Sequence, residues 1–319
     1  MTSDASPDLE QYRRELTGYC YRMLGSGFET DDAVQETMVR AWKNYDTFEG
    51  RSALRSWLYR IATNVCLDML RSRQRRARPM ELSGAWTPES HHGSAMPEAT
   101  WITPIPDASV VPDGDPADVA TARESIRLAF VAALQHLPAR QRAVLILREV
   151  LRWQASEVAE LLDTTVASVN SALQRARATI DEQELSAEKP LGLHEIDRGM
   201  LERYVAAFEA YDVDALTSLI REDATQSMPP FDMWLEGRDD VLAWWFGPGI
   251  GCKGSRVLPA GSANGAPAYG QYKPSDTGSG YDPWALQVLQ VSKDGIADFT
   301  FFLDTKRLFP LFGLPPRLD

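Results

Sequence analysis

FEGRSALRSWLYRIATNVCLDMLRSRQRR, residues 48–76, carries two patterns at once. Trp57, Leu58, Ile61, Ala62, Val65, Cys66, Met69 and Leu70 recur on one helical face, which predicts a buried stripe on a helix from near Ser52 to Arg75. Arg55, Arg60, Asn64, Arg71 and Arg75 lie largely off that stripe. From Arg51 to Arg78 eight arginines stand against one acid, Asp68, a local excess of seven positive charges. With the loop aromatics Tyr45 and Phe48 this composition suits single-stranded nucleic acid, because guanidinium groups bind phosphates and flat rings stack on unpaired bases. A basic helix serves equally as a solvated surface or as a face for an acidic partner.

Toward the N-terminus, Ser6, Pro7 and Asp8 start a helix through Leu9, Tyr12, Leu16, Tyr19, Cys20 and Met23, which Gly25 and Gly27 end. Thr30 is the expected cap of a second helix, with Asp31 and Asp32 in its first turn. Its inner stripe is Val34, Thr37, Met38, Ala41 and Trp42, so that Asp32, Gln35, Glu36 and Arg40 face outward.

Toward the C-terminus the charge reverses. Pro79 to Ala120 holds seven acids, no Lys or Arg, and seven prolines, which predicts an extended acidic linker. Helical spacing resumes from Val119 to Leu137 and again after Pro138. Gln154 to Leu162, a break at Asp163-Thr164-Thr165, and Val166 to Ile180 make a short helical pair. In the second helix Val166, Val169, Leu173 and Ala176 form one stripe, and Ser168, Asn170, Ser171, Gln174, Arg175 and Arg177 point elsewhere, as in a helix-turn-helix.

From about Glu195 the pattern mixes helices with strands and Gly/Pro turns. Ile196, Met200, Tyr204 and Phe208 mark one helix and Ala215, Leu216, Leu219 and Ile220 begin another. Trp284 to Val291 and Ile296 to Leu303 are strands joined by the hairpin signal Lys293-Asp294-Gly295. Tyr204, Trp234, Arg238, Trp284 and Asp304 are candidates to line a pocket, although aromatics at this spacing usually belong to a core.

The 319 residues are 44% hydrophobic with a net charge of −12, enough apolar content for packed cores. No run of about 18 apolar residues and no secretory leader occur, so a cytoplasmic protein without membrane attachment is expected. Cys20, Cys66 and Cys252 match no disulfide or zinc spacing, and His91-His92 reads as a solvated pair, so neither metal nor cofactor is expected. Gly247 to Gly251 is glycine-rich without a following GK[ST], which excludes a phosphate loop. No acid/base constellation stands out, so no catalytic residue is assigned.

DDAVQETMVRAW (31–42) with residues 48–76 resembles the second conserved region of bacterial RNA polymerase sigma factors of the extracytoplasmic-function (ECF) group. LPARQRAVLILREVLRWQASEVAELLDTTVASVNSALQRARATI (137–180) resembles their fourth region. The C-terminal part, with YVAAFEAYDVDALTSLIREDATQSMPP and WLEGRDDVLAWW, resembles the SnoaL-like cone fold. Together these imply a multidomain chain, two all-α modules followed by an α+β cone domain: region 2 at 1–78, linker at 79–117, region 4 at 118–187 and the SnoaL-like domain at 195–319.

The resemblance further implies that the chain binds core RNA polymerase, on the β′ clamp helices and the β flap, and promoter DNA. It assigns Asp32, Gln35, Glu36 and Arg40 to polymerase, and Phe48, Arg51, Ser52, Arg55, Trp57, Arg60 and Asn64 to the −10 strand. It places Asn170, Ser171, Gln174 and Arg175 at −35 base edges, and Thr165, Ser168 and Arg177 nearer phosphates. In this reading the cone domain regulates initiation in cis, with a small ligand as a candidate occupant, and acids such as Glu98, Asp107, Asp113 and Asp115 follow a nucleic-acid path through polymerase. Two alternatives stand beside it: a SnoaL-like enzyme fused to a DNA-binding module, and a ligand-sensing helix-turn-helix regulator.

Overall fold

In the computed structural model, which describes residues 9–48, 53–71, 73–90, 93–183 and 190–319, helix α1 (Arg13–Leu24) stops at Gly25. That residue adopts φ 69° and donates its N–H to the Tyr21 carbonyl (2.8 Å). Helix α2 (Gly27–Lys43) follows at once, capped by Ser26, whose hydroxyl accepts from the Glu29 N–H (3.4 Å). Thr30 is therefore not the cap but a buried residue of the first turn, because the left-handed turn at Gly25 leaves only one residue before the next helix. The expected helix start at Ser6, Pro7 and Asp8 lies outside the described residues. Helix α3 (Leu54–Leu70) ends earlier than Arg75, and Arg73 and Arg76 turn back to pair with Glu29 of α2.

The chain divides into two units, Met1–Arg76 with Ile102–Leu185, and Ala77–Trp101 with Ser186–Asp319. The first is helical throughout. After α3 it contains α4 (Pro116–Glu124), α5 (Leu128–Gln135), α6 (Ala139–Leu145) extended by a π turn, α7 (Ala155–Leu161) and α8 (Val166–Asp181). The expected helix from Val119 to Leu137 breaks at Ser125, whose hydroxyl accepts two bonds from Arg22 (3.0 and 2.7 Å). Arg22 is fully enclosed, and burial lowers its pKa to about 10. One hydrophobic cluster joins Tyr19, Val34, Leu58 and Cys66 to Leu134, Ile146, Trp153, Val158 and Leu173, so both helical modules share a core.

In the second unit α9 (Arg198–Ala210) and α10 (Val213–Leu219) are capped by Asp197 and Asp212. They precede β1 (Ile220–Ser227), β2 (Trp234–Glu236), α11 (Arg238–Phe246), β3 (Arg256–Ala263), β4 (Ala266–Pro274), β5 (Tyr281–Ser292), β6 (Gly295–Phe302) and α12 (Thr305–Leu311). The sheet order is β2-β1-β6-β5-β4-β3, antiparallel except for the β1–β6 pair. The expected hairpin at Lys293-Asp294-Gly295 joins β5 to β6. A second hairpin joins β3 to β4 at Asn264-Gly265, both at positive φ (54° and 74°). A cluster including Tyr204, Phe208, Trp245, Leu289 and Phe299 forms the core of this unit.

The acidic stretch is not a free strand. Its first part belongs to the α+β unit, where Trp86 N–H donates to Trp234 O (2.8 Å) and Met96 N–H to Pro230 O (2.9 Å). Its second part belongs to the helical unit, where Ile102, Ile105, Val110 and Val111 are buried and Thr103 accepts from Tyr21 and Gly27. Apolar residues between the prolines supply the burial that composition alone conceals.

Candidate nucleic-acid interface and domain cavity

On α2 the residues Asp32, Gln35 and Glu36 are exposed, and Arg40 pairs with Glu36 (2.6 Å) and reaches Asp68 (3.7 Å). Trp42 joins them rather than the core, 71% exposed beside Val39. Ala41 completes the inner stripe, and the next residue is rotated by about 100° from it, which sets Gln35, Val39 and Trp42 on a second face at i, i+4 and i+7. This exposed apolar pair among charges is a surface that sequence periodicity missed.

On α3 the arginines Arg55 and Arg60 are exposed but engaged by neighbouring groups. Arg55 pairs with Glu15 (2.7 Å) and lies over the rings of Tyr59 (5.2 Å) and Trp153 (5.5 Å). Arg60 donates to the Glu160 carbonyl of α7 (2.9 Å). Phe48, Trp57 and Tyr45 form an aromatic cluster with centroids 5.1 to 6.5 Å apart, which half-buries Trp57. Asn64 is exposed, and Arg51 and Ser52 lie outside the described residues.

The α8 residues are open. Thr165 caps the helix, its hydroxyl accepting from Ser168 N–H (3.1 Å). Asn170, Ser171, Gln174 and Arg175 are all exposed along one side, while Val169, Leu173 and Ala176 are buried. Arg177 pairs with Glu149 (2.6 Å). Asp163 at φ 50° makes the tight turn between α7 and α8. Two short helices at such a turn, the second presenting amides and a guanidinium, can enter a major groove and read base edges.

The four acids expected along a nucleic-acid path each have a partner. Asp107 is buried facing Arg123 (3.6 Å), Asp113 pairs with Arg14 (2.6 Å), Asp115 caps α4 through Ala117 N–H (2.8 Å) and Glu98 faces Arg307 (3.7 Å).

In the α+β unit a cavity of about 420 Å³ lies within walls that include Phe208, Tyr211, Gln226, Trp245, Gln271, Lys273, Trp284 and Phe301. Of the five sequence candidates, Trp284 lines it. Tyr204 is fully buried in the core, Trp234 donates its indole N–H to Ser83 O (2.9 Å), Arg238 sits at the start of α11 near Glu222 and Asp239, and Asp304 precedes α12. The polar groups that matter were missed. Tyr204 Oη donates to Gln287 Oε1 (2.8 Å), Gln287 Nε2 to Gln271 Oε1 (3.0 Å) and Gln271 Nε2 to Ser255 Oγ (3.1 Å). Burial pushes the Tyr204 hydroxyl well above its usual range. Amides cannot exchange protons as carboxylates or imidazoles do, so this chain of bonds holds positions rather than moving a proton.

Family models match the chain in three places: Sigma-70 region 2 at residues 9–76, Sigma-70 region 4 at 127–180 and a SnoaL-like domain at 201–298. The ECF RNA polymerase sigma factor SigG of Mycobacterium tuberculosis is 43% identical over 319 residues, covering 99% of this chain and 85% of that protein. SigJ of the same species is 30% identical over 219 residues, 68% of this chain and 62% of that one. The crystal structure of M. tuberculosis SigJ superposes with a TM-score of 0.59 at 22% identity, covering 97% of this chain and 99% of that chain, which shows a shared fold. Among the described residues no helix is long and apolar enough to cross a membrane.

Proposed function

The chain belongs to the ECF RNA polymerase sigma factors and carries a SnoaL-like domain behind their two regions, and from that premise we propose that it binds core polymerase and directs it to its own set of promoters in the cytoplasm. The exposed Asp32, Gln35, Glu36, Val39 and Trp42 face docks on polymerase, on the β′ clamp helices, while region 4 meets the β flap. Phe48, Arg51, Ser52, Arg55, Trp57, Arg60 and Asn64 take the −10 strand. Asn170, Ser171, Gln174 and Arg175 read the −35 duplex, with Thr165, Ser168 and Arg177 on its phosphates.

The observation that supports this reading best is the contrast between α3 and α8 within one packed unit. Promoter elements about 25 base pairs apart span roughly 85 Å at about 3.4 Å per pair. Modules joined through the Arg60 to Glu160 bond and a common core cannot reach both. Polymerase therefore has to separate the modules, and the free chain binds promoters weakly. The α+β domain acts in cis by holding residues 77–101, part of the segment that must move with this separation. It performs no covalent chemistry in this role.

Run-off transcription with core polymerase tests the reading. Promoter-specific transcripts with the full chain are the expected result, and their absence across a genomic promoter library would overturn it. Deleting residues 195–319 should change the output, whereas unchanged output removes the cis role.

A further inference from the structure

The walls of the 420 Å³ cavity are rich in aromatic rings, with Phe208, Trp245, Trp284 and Phe301 among them, and the size suits a small organic molecule. Two donors stand against these rings. Gln226 is 2% exposed, and its Oε1 accepts from the Trp245 indole, which leaves its amide NH2 without a partner among the described residues. The Lys273 ammonium lies 3.8 Å from the Trp284 ring centroid, with no carboxylate in ion-pair range among the described residues. Gln271 has both ends of its amide engaged. Glu89, also in the lining, is exposed, so solvent screens its charge.

Rings on the walls and unpaired donors among them specify an occupant with flat apolar surface and acceptor oxygens. We propose that this cavity binds a planar, ring-bearing organic acid, its carboxylate on Lys273 and a second oxygen on the Gln226 amide, and that binding favours the docked form of residues 83–90. The assignment deepens the reading above, in which a small ligand is a candidate occupant of the domain. The link to the segment follows from its place in the wall. Glu89 and Ser90 line the cavity, and the same segment is tied down by Ser83 Oγ donating to Asp232 O (2.8 Å) and by Trp86 N–H on Trp234 O (2.8 Å). An occupant that touches the docked segment stabilises docking by the free energy of that contact.

The test uses the full chain and 6-hydroxy-2-naphthoate as probe, with 2-naphthol as its uncharged counterpart, followed by tryptophan fluorescence and calorimetry. Saturable one-to-one binding is expected, with the acid preferred. Lys273→Gln should weaken the acid about tenfold, as loss of one charge-assisted contact implies, and leave 2-naphthol within about twofold. Gln226→Leu gives a second, independent loss for the hydroxyl-bearing probe relative to 2-naphthoate. Amide exchange across residues 83–90 should slow when the probe is bound. No saturation at about 1 mM probe, or equal affinity in the Lys273→Gln chain, overturns the ligand class. Unchanged exchange at 83–90 overturns the link. Because no polymerase is present, these failures leave a positive run-off result standing.

Discussion

The α8 face of the helical unit turns its polar chemistry outward, and the interior of the α+β unit turns it inward. On α8 the amides and guanidinium of Asn170, Gln174 and Arg175 stand in solvent over a buried apolar stripe. In the α+β unit Tyr204, Gln287 and Gln271 form a bonded chain with each residue at most 1% exposed. Outward groups contribute little to stability and are free to meet a large charged partner. Inward groups fix the interior, and each leaves an orphaned partner when it is removed. Substitutions should therefore separate function from folding in opposite directions in the two units.

The largest effect is expected on the outward side. Replacing Asn170, Gln174 and Arg175 together by alanine removes three candidate base contacts, each worth about 1–3 kcal/mol, so promoter-directed run-off should fall at least about a hundredfold. The unfolding midpoint of the helical unit should stay within about 0.5 kcal/mol of wild type, because none of the three side chains is buried. Near-normal transcription from a −35-dependent promoter would break the assignment of α8.

The inward counterpart is Gln287→Ala. It deletes the acceptor of the Tyr204 hydroxyl and the donor to Gln271 Oε1 in one step. Two orphaned buried groups should cost about 2–4 kcal/mol in the α+β unit by denaturant titration. Duplex binding through α8 should be untouched. Equal stability would mean that the amide chain positions nothing.

The same contrast governs how much could be read in advance. Leu58, Ala62, Val65 and Cys66 sit inside and Arg55, Arg60 and Asn64 sit outside because a helix projects its periodicity directly onto burial. That Arg55 meets Trp153 and Arg60 bonds to Glu160 is a long-range contact, which no local pattern encodes. Trp42 misled because size and apolarity argue for the core, whereas its position one step past Ala41 argues against it. In the α+β unit the Lys293-Asp294-Gly295 turn was legible, and Asn264-Gly265 carries an equally good hairpin signal. Gln287 shares its strand register with Ala285 and Leu289, so a lone amide on an inward face was the available clue. The parallel β1–β6 pair brings together strands some seventy residues apart, beyond any hairpin rule.

A smaller effect tests whether an outward ion pair holds a reader back. Arg177 and Glu149 are 2.6 Å apart with both side chains largely exposed. Such pairs contribute about 0.2–1 kcal/mol, so Glu149→Gln should release Arg177 and tighten duplex binding by about 1.4-fold to fivefold at low salt. The gain should fade as salt screens the phosphates. Weaker binding by this variant would mean that Glu149 orients Arg177 toward DNA rather than competing for it.

The smallest effect concerns a buried carboxyl of the α+β unit. Asp298 on β6 accepts from Thr225 (2.6 Å) and Thr300 (3.1 Å) and faces the charge of Arg78, from the segment that leaves the helical unit. Burial raises its pKa above the ordinary 3.8, and the two hydroxyls and Arg78 oppose the rise without cancelling it. A carboxyl with a raised folded pKa binds its proton more tightly in the folded than in the unfolded chain. Its contribution to stability is therefore present at low pH and is lost as pH rises from the ordinary value through the raised one. Asp298→Asn should flatten that part of the stability profile of the α+β unit. Arg78→Gln should stretch the window upward, since the favourable cation is gone and ionisation becomes harder still. An unchanged profile in Asp298→Asn would mean that Asp298 does not titrate differently on folding, and an unchanged profile in Arg78→Gln that Arg78 does not act on it.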